Sequence, residues 1–520
     1  MSAVAAGGLA RASSADLSSP ARWRPEAAAA REGLMEVAMA GVKSWKFGDA
    51  GAPAFPDDFE IPRKAVLQVT DIKTNHNKYY AIEVHQGTLK SKPVFRVFTH
   101  YGRTDDLEKN PEAGQKECRY ASTLGEAQAI YDGIYREKTS SAKGYKELSL
   151  ASSKIGSQKA RGTSAGEIDA KTVKRLAEQK VARGELPAAT VKVSTLNPTV
   201  QQMVQYIYAE ATNALTTAVN VKITANGIET PLGILTVGQI EKGESILQDI
   251  YKLFQQGSKN RSKMIDLSGE FYTTIPHRIG RTRAAIDEAV IDTMEDFQGK
   301  QETLQLMKDM LQVNGDGGSV LFESKADEQY DALKCTIDLV DHKHPTYTEI
   351  EQFVLKSRVK TAHIKIKNIY TLRRAGEHEV FTSHIDNQRL LFHGSRIKNW
   401  VGILSRGILM PKIVVSMGVN RTDAGWLGSG IYFGDASCTS AFYTSPGKSG
   451  TRFMALARVA LGKMKPYHKI TYGISEPPAG FHSCHGVRSK PGVDSQFSDD
   501  EYVIYDSRQQ RLDYLVEFSM

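Results

Sequence analysis

The apolar residues of this chain change their spacing twice, and each change calls for a different kind of core. Over residues 61–150 they alternate with polar residues in short runs. Examples are Ala65-Val66-Leu67-Gln68-Val69, Tyr79-Tyr80-Ala81-Ile82-Glu83-Val84 and Val94-Phe95-Arg96-Val97-Phe98. A period of two puts alternate side chains on one face of a strand, so these runs predict an antiparallel sheet, broken at 73–78 and 86–93. Ala127, Ile130, Tyr131 and Ile134 then fall at helical spacing, predicting a helix over 124–138. From about residue 197 to 318 the period is helical. Val200, Met203, Val204 and Ile207 share one face, as do Ile246, Ile250, Leu253 and Phe254, which predicts an all-α bundle. Within it Pro231-Leu232-Gly233 reads as a turn between helices and Phe271-Tyr272 as core aromatics. After Gly315-Asp316-Gly317-Gly318 the pattern becomes mixed and ends in strand-like runs at Glu501–Tyr505 and Tyr514–Phe518.

A chain of 520 residues exceeds one ordinary core. The expectation is an α+β multidomain protein with five parts: a disordered segment over 1–60, a sheet domain over 61–150, a basic linker over 151–195, a helical domain over 196–318 and a mixed α/β domain over 330–520. There are no internal repeats.

Charge is distributed unevenly along these parts. The net charge is +8, and residues 61–190 alone hold 23 Lys and Arg against 15 Asp and Glu. A basic N-terminal domain on a nearly neutral remainder suits a polyanion partner. The four cysteines, Cys118, Cys335, Cys438 and Cys484, form no CxxC pair, which excludes a disulfide framework or a zinc ribbon and fits a reducing compartment. His482-Ser483-Cys484-His485 offers three metal-ligand types but no second ligand pair nearby, so no metal is expected. No apolar run approaches the roughly 18 residues of a bilayer span, and no membrane partner is expected. The first 50 residues, rich in Ala, Arg and Ser, lack the apolar core of a secretory signal; disorder is the first reading and an organelle transit peptide the alternative.

The chemistry-bearing residues lie in the last 130 positions. Leu391-Phe392-His393-Gly394-Ser395-Arg396 places a His, a Gly and a Ser after an apolar strand. Gly428-Ser429-Gly430-Ile431-Tyr432-Phe433, Ser440-Ala441-Phe442-Tyr443 and Asp499-Asp500-Glu501-Tyr502-Val503-Ile504 follow. Singly, these are a loop turn, a core strand and a solvated acidic loop. Together they supply what a nicotinamide–ribose pocket needs: aromatic walls for the ring, a backbone amide and a hydroxyl for the carboxamide, and a hydrogen-bonding group for the ribose. A carboxylate completes the set, because glycosidic cleavage develops positive charge at the ribose. Glu501, at the head of an apolar strand, is the candidate.

These motifs, with Val401-Gly402-Ile403-Leu404-Ser405-Arg406-Gly407 and Val459-Ala460-Leu461-Gly462, resemble the catalytic domain of the poly(ADP-ribose) polymerase family. The resemblance implies a mixed α/β ADP-ribosyltransferase fold with split antiparallel sheets and NAD⁺ as substrate. It implies a triad of His393, Tyr432 and Glu501. His393 would bind the adenosine-side ribose, Gly394 and Ser440 the carboxamide, and Tyr443 would stack on nicotinamide opposite Tyr432. Ser395 and Asn399 would line the adenosine and phosphate part, and Glu501 would support transfer and permit elongation to a polymer.

There are departures. Thr439 stands where the family often has lysine, and Leu409 where nuclear polymerases have an arginine. The stretch Leu409–Gly428 is nearer the vault-associated member. Thr230–Thr236 and Asp266–His277 resemble motifs of the family's helical regulatory domain, which limits NAD⁺ access until activation.

Residues 61–150 resemble its WGR domain, with Asn75–Tyr80 as the opening motif, Tyr131–Lys138 as the closing helix and Tyr101-Gly102-Arg103 as the tripeptide. Tyrosine replaces tryptophan there, and Asp105 adds a negative charge beside Arg103. In the family this domain sits on DNA breaks, through stacking and phosphate pairing. The resemblance thus implies a nuclear enzyme that responds to strand breaks or nicks and modifies itself and other proteins, with an accessory factor able to complete the acceptor site. Two readings compete: a non-catalytic scaffold binding DNA and NAD⁺, and an enzyme tied to a ribonucleoprotein rather than to DNA.

Overall fold

A computed structural model describes residues 42–110, 112–161, 194, 196–219, 221–224, 227–257, 260–277, 282–315, 325–358, 363–410 and 425–520. The segment 1–41, most of the expected linker and residues 411–424 of the vault-like stretch lie outside the described residues.

The N-terminal domain is a six-stranded antiparallel sheet in the order β1-β5-β4-β3-β2-β6. Its strands are β1 (Ser44–Lys46), β2 (Phe59–Asp71), β3 (His76–Leu89), β4 (Lys92–Arg103), β5 (Gln115–Ala121) and β6 (Lys146–Glu147). The alternating runs predicted β2, β3 and β4, which extend further than expected. The sheet also begins earlier than residue 61, because β1 pairs with β5 and Phe47 packs edge-on against Phe98 at 5.4 Å. Three strand residues are too few to leave a visible alternation. The helix Leu124–Thr139 covers one face with Ala127, Ile130, Tyr131 and Ile134, as their spacing required. Its N-cap Thr123 accepts from Glu126 N–H, which satisfies an orphan amide of the first turn.

The opposite face of this sheet is also covered. Val66, Tyr79 and Ala81 pack against Ile155 and against Leu232 from the helical domain. A sheet buried on both faces loses its clean polar alternation, which explains the nearly continuous burial along β3.

The helical domain contains the long helices Pro198–Ala218, Val237–Gln255, Arg261–Thr274 and Met294–Gly315. It is not wholly α. A four-stranded sheet in the order β7-β10-β9-β8 joins β7 (Leu150–Ser153) to β8 (Lys222–Thr224), β9 (Gly227–Glu229) and β10 (Gly233–Leu235). The expected turn at Pro231–Gly233 therefore connects strands, not helices, and the start of the expected linker is a strand of this sheet. Gly233 has φ +150°, and a Cβ there would collide with the Ser152 carbonyl, so glycine lets β7 and β10 approach. Thr70 N–H donates to Thr273 Oγ1 at 2.7 Å, and Ser149 N–H to Gln239 Oε1 at 2.9 Å, docking this domain on the first.

The C-terminal domain is a nine-stranded sheet in the order β11-β12-β19-β15-β13-β14-β18-β17-β16. Its strands are β11 (Cys335–Leu339), β12 (Lys365–Arg374), β13 (Gln388–Gly394), β14 (Ile431–Gly434), β15 (Arg452–Ala460), β16 (Met464–Tyr467), β17 (Ser483–Gly486), β18 (Glu501–Ile504) and β19 (Gln510–Ser519). All neighbours are antiparallel except β16 and β17. The halves meet where β13 and β14 pair only at Phe392–Gly434, so the sheet splits there.

One hydrophobic core runs from the helical bundle (Val204, Ile207, Leu215) into this domain (Trp400, Val401, Leu404, Phe453). The helix Met294–Gly315 is fastened to it by Asp309, which is 2% exposed and takes Arg406 Nε at 2.6 Å and Nη2 at 2.9 Å. Glu302 pairs with Arg396 and Lys398, and Glu210 accepts from Lys448 N–H.

Candidate active site

The split in the sheet is where the site lies. β13 ends in His393 and Gly394, β14 carries Tyr432, and β18 starts with Glu501. Alternation along β14 turns Ile431 and Phe433 into the core and leaves Tyr432 half-buried toward the opening. The short helix Ser437–Phe442 brings Ser440 over the end of β13. This approach requires Gly394, since a Cβ there would collide with the Ser440 carbonyl oxygen.

The resulting cleft has a volume of about 320 Å³ and is lined by His393, Gly394, Tyr432, Ser440, Tyr443 and Glu501 among others. Six of the eight residues named from the sequence for this pocket thus meet in one cavity. Ser395 and Asn399 do not line it; Asn399 Nδ2 donates to Ser395 Oγ at 3.1 Å, beside the segment that pairs with Glu302. Trp426, Phe433 and Thr439 line the cleft without having been singled out as binding residues. Trp426 sits in a loop without period, and Thr439 had registered only as a departure from a family lysine.

Hydrogen bonds fix two of the three triad members. His393 Nδ1 lies 3.0 Å from the Tyr432 carbonyl oxygen. A carbonyl only accepts, so Nδ1 carries the proton, and burial holds the imidazole's pKa below its ordinary value. The ring is neutral near pH 7, with Nε2 left as an acceptor. Tyr432 accepts from Leu427 N–H at 2.9 Å and donates to the Gly428 carbonyl at 2.8 Å. Burial pushes its phenol well up, so Tyr432 is a fixed neutral wall.

Glu501 is the group poised to titrate. Burial, and then the charge of Asp499, push its carboxyl up to about 7. A carboxylate lining a cleft with such a pKa can stabilise nearby positive charge and can also accept a proton. Tyr443, 65% exposed at the rim, offers a ring face across the opening.

The other residues singled out from the sequence lie apart. Tyr101, Gly102 and Arg103 end β4, where Tyr101 stacks on Tyr80 at 5.0 Å and bonds Gln115 and Glu117. Arg103 Nη2 is 3.4 Å from both the Asn75 carbonyl and Asp105. Gly102 packs where a Cβ would stand 3.0 Å from Gly114 Cα. His482 accepts from Lys463 N–H, Cys484 is buried, and His485 bonds Asp500 at 2.7 Å. Neighbours on β17 face opposite sides, so Cys484 and His485 do not converge.

His393, Tyr432 and Glu501 thus stand around the break of a split antiparallel sheet. Residues 344–520 match the poly(ADP-ribose) polymerase catalytic domain, 194–333 its regulatory domain and 63–151 the WGR domain. The chain belongs to the poly(ADP-ribose) polymerase family. It is 33% identical over 328 residues to the human protein mono-ADP-ribosyltransferase PARP4, an alignment covering 63% of this chain but only 18% of that relative. It is 26% identical to the human protein mono-ADP-ribosyltransferase PARP3, over 87% of this chain and 86% of the relative. Human poly [ADP-ribose] polymerase 2 is also 26% identical, over 87% and 78%.

Proposed function

We infer that this chain cleaves NAD⁺ at the nicotinamide–ribose bond and transfers ADP-ribose to protein, itself included, in response to DNA breaks. The observation that carries this reading is the convergence of His393, Tyr432 and Glu501 on one cleft with Ser440 and Tyr443. Nicotinamide lies between Tyr432 and Tyr443, its carboxamide held by the Gly394 backbone and the Ser440 hydroxyl. His393 Nε2 accepts from the adenosine-side ribose; Ser395 and Asn399 serve the adenosine and phosphates. The C1′–N bond breaks with its electron pair leaving on nicotinamide. Positive charge grows on the ribose, and the Glu501 carboxylate stabilises it. The acceptor's lone pair forms the new bond to C1′, and its proton passes to Glu501. No metal enters this chemistry.

Glu501 permits polymer growth from a first unit, which is the reading we favour. Transfer of single units is the second reading, supported by the names of the PARP4 and PARP3 relatives. Break sensing rests on the basic WGR domain, where Tyr101 stacks and Arg103 pairs with phosphate, and the docking of Thr70 on Thr273 offers a route to the regulatory helices. The compartment this implies is the nucleus, with an organelle as the alternative, and an accessory factor could complete the acceptor site. Titrating nicked duplex DNA into an NAD⁺-consumption assay tests the break-dependent part. A rise that weakens in Arg103→Ala supports it; turnover indifferent to DNA leaves the enzyme and removes the sensor.

A further inference from the structure

Three further carboxylates gather at the strand ends next to Glu501, and the sheet register puts them there. Glu501 on β18 stands opposite Gly434 of β14 on one side and Gly486 of β17 on the other. One residue past Gly434 is Asp435, two past Gly486 is Arg488, and Asp499 and Asp500 lead into Glu501 itself. Arg488 Nη2 donates to Asp435 Oδ1 at 3.0 Å. Its Nε lies 3.9 Å from Asp499 and 3.8 Å from Asp500, and its backbone N–H donates to Asp500 Oδ1 at 3.1 Å. One guanidinium therefore ties together carboxylates from two strand ends.

The geometry points to Arg488 as a positioning residue of the transfer step: it holds Asp435, Asp499 and Asp500 in place and so sets the position and charge surroundings of Glu501. Like charges at this spacing repel, and a cation with a bidentate fork is the side chain able to hold several at once. Among the described residues, the other groups around Glu501 come from the neighbouring strands and the helix end. From β13 comes His393, neutral by its bond to Tyr432; from β14 and the helix end come the phenols Tyr432 and Tyr443. From β17 comes His485, which is committed to Asp500 at 2.7 Å and stacks on Tyr502 at 4.6 Å. Arg389 lies beyond Tyr502, 3.2 Å from its hydroxyl.

Removing Arg488 leaves the charge of Asp499 unopposed beside Glu501, so Glu501 ionises only at higher pH; removing the Asp499 charge does the reverse. This rests on the transferase reading only for its kinetic readout. The experiment follows kcat and KM for NAD⁺ against pH in the full chain, for wild type, Arg488→Gln, Arg488→Lys and Asp499→Asn. In parallel, carboxyl ¹³C NMR, with the Glu501 signal assigned by its loss in Glu501→Gln, follows Glu501 ionisation without turnover. The expected result is an acid-limb midpoint raised by about half a unit or more in Arg488→Gln, less in Arg488→Lys, and lowered in Asp499→Asn, with KM changed less than about twofold. A uniform fall in kcat with an unmoved midpoint, or a change confined to KM, overturns the proposal. If wild type leaves NAD⁺ intact, the transferase reading fails, and the NMR midpoints alone decide for or against Arg488. Arg488→Lys and Asp499→Asn keep the test open should Arg488→Gln not fold.

Discussion

The imidazole of His393 donates from Nδ1 to the main-chain carbonyl of Tyr432 across 3.0 Å, so one triad member orients another through the backbone of β14. The bond fixes the tautomer and points Nε2 at the cleft. His393→Ala is expected to raise KM for NAD⁺ about tenfold or more, the loss of one hydrogen bond to a buried hydroxyl. Steady-state kinetics check this, and an unchanged KM would show that His393 does not hold the ribose.

Tyr443 is largely exposed at the rim of the cleft, where its ring is open to a ligand. Tyr443→Ala is expected to weaken NAD⁺ binding by about tenfold to a hundredfold, the range of one aromatic–base stack. Tyr443→Phe should stay near wild type, because the ring face and not the hydroxyl does the work. Calorimetric titration with a non-hydrolysable NAD⁺ analogue separates the two variants.

Glu501 makes stability depend on pH with a definite sign. Its folded pKa of about 7 lies above the ordinary value of 4.5. The folded state therefore holds the proton more tightly than the unfolded chain, and stability is lost as pH rises from about 4.5 through 7. Glu501→Gln removes this loss, worth at most about 3 kcal/mol above pH 7. Thermal unfolding should show the variant more stable than wild type at pH 8 and equal to it at pH 4.5. In wild type, transfer should rise with pH through about 7.

The Asp309–Arg406 pair is buried and bidentate between the helix Met294–Gly315 and the helix Trp400–Arg406. Breaking such a pair from one side costs about 3–5 kcal/mol because the partner charge stays buried. Asp309→Ala is expected to lower the unfolding temperature by several degrees and to raise DNA-independent NAD⁺ consumption, as the bundle loosens from the transferase. Equal basal turnover would show that this clamp is structural only.

Arg103 lies within reach of Asp105, which would compete for it with a duplex phosphate. Arg103→Ala should weaken duplex binding equally for all sequences and make its salt dependence shallower by about one phosphate contact. Asp105→Asn should tighten it. Fluorescence anisotropy at several salt concentrations reads both.

Much of this was legible where local pattern and tertiary demand agree. The helix over Ala127, Ile130, Tyr131 and Ile134 buries the face its period announces, and the apolar run before His393 is a strand. What stayed hidden depends on partners distant in sequence. β1 exists only because β5 offers an edge, and β7 and β10 pair across about eighty residues because Gly233 lets their backbones meet. The motifs that meet in the cleft could be read because their residue types are scarce in combination. Arg488 could not, since its partners come from two separate strand ends, and no short motif contains them.

The most direct test is to incubate the full chain with adenylate-labelled NAD⁺ and nicked duplex DNA, beside Glu501→Gln, and to follow both free nicotinamide and protein-bound label. The expected result is label on the wild-type protein in step with nicotinamide release, reduced about a hundredfold or more in Glu501→Gln. NAD⁺ left intact by the wild type with DNA present, or a Glu501→Gln variant as active as the wild type, would contradict the assignment of this cleft as the transferase site.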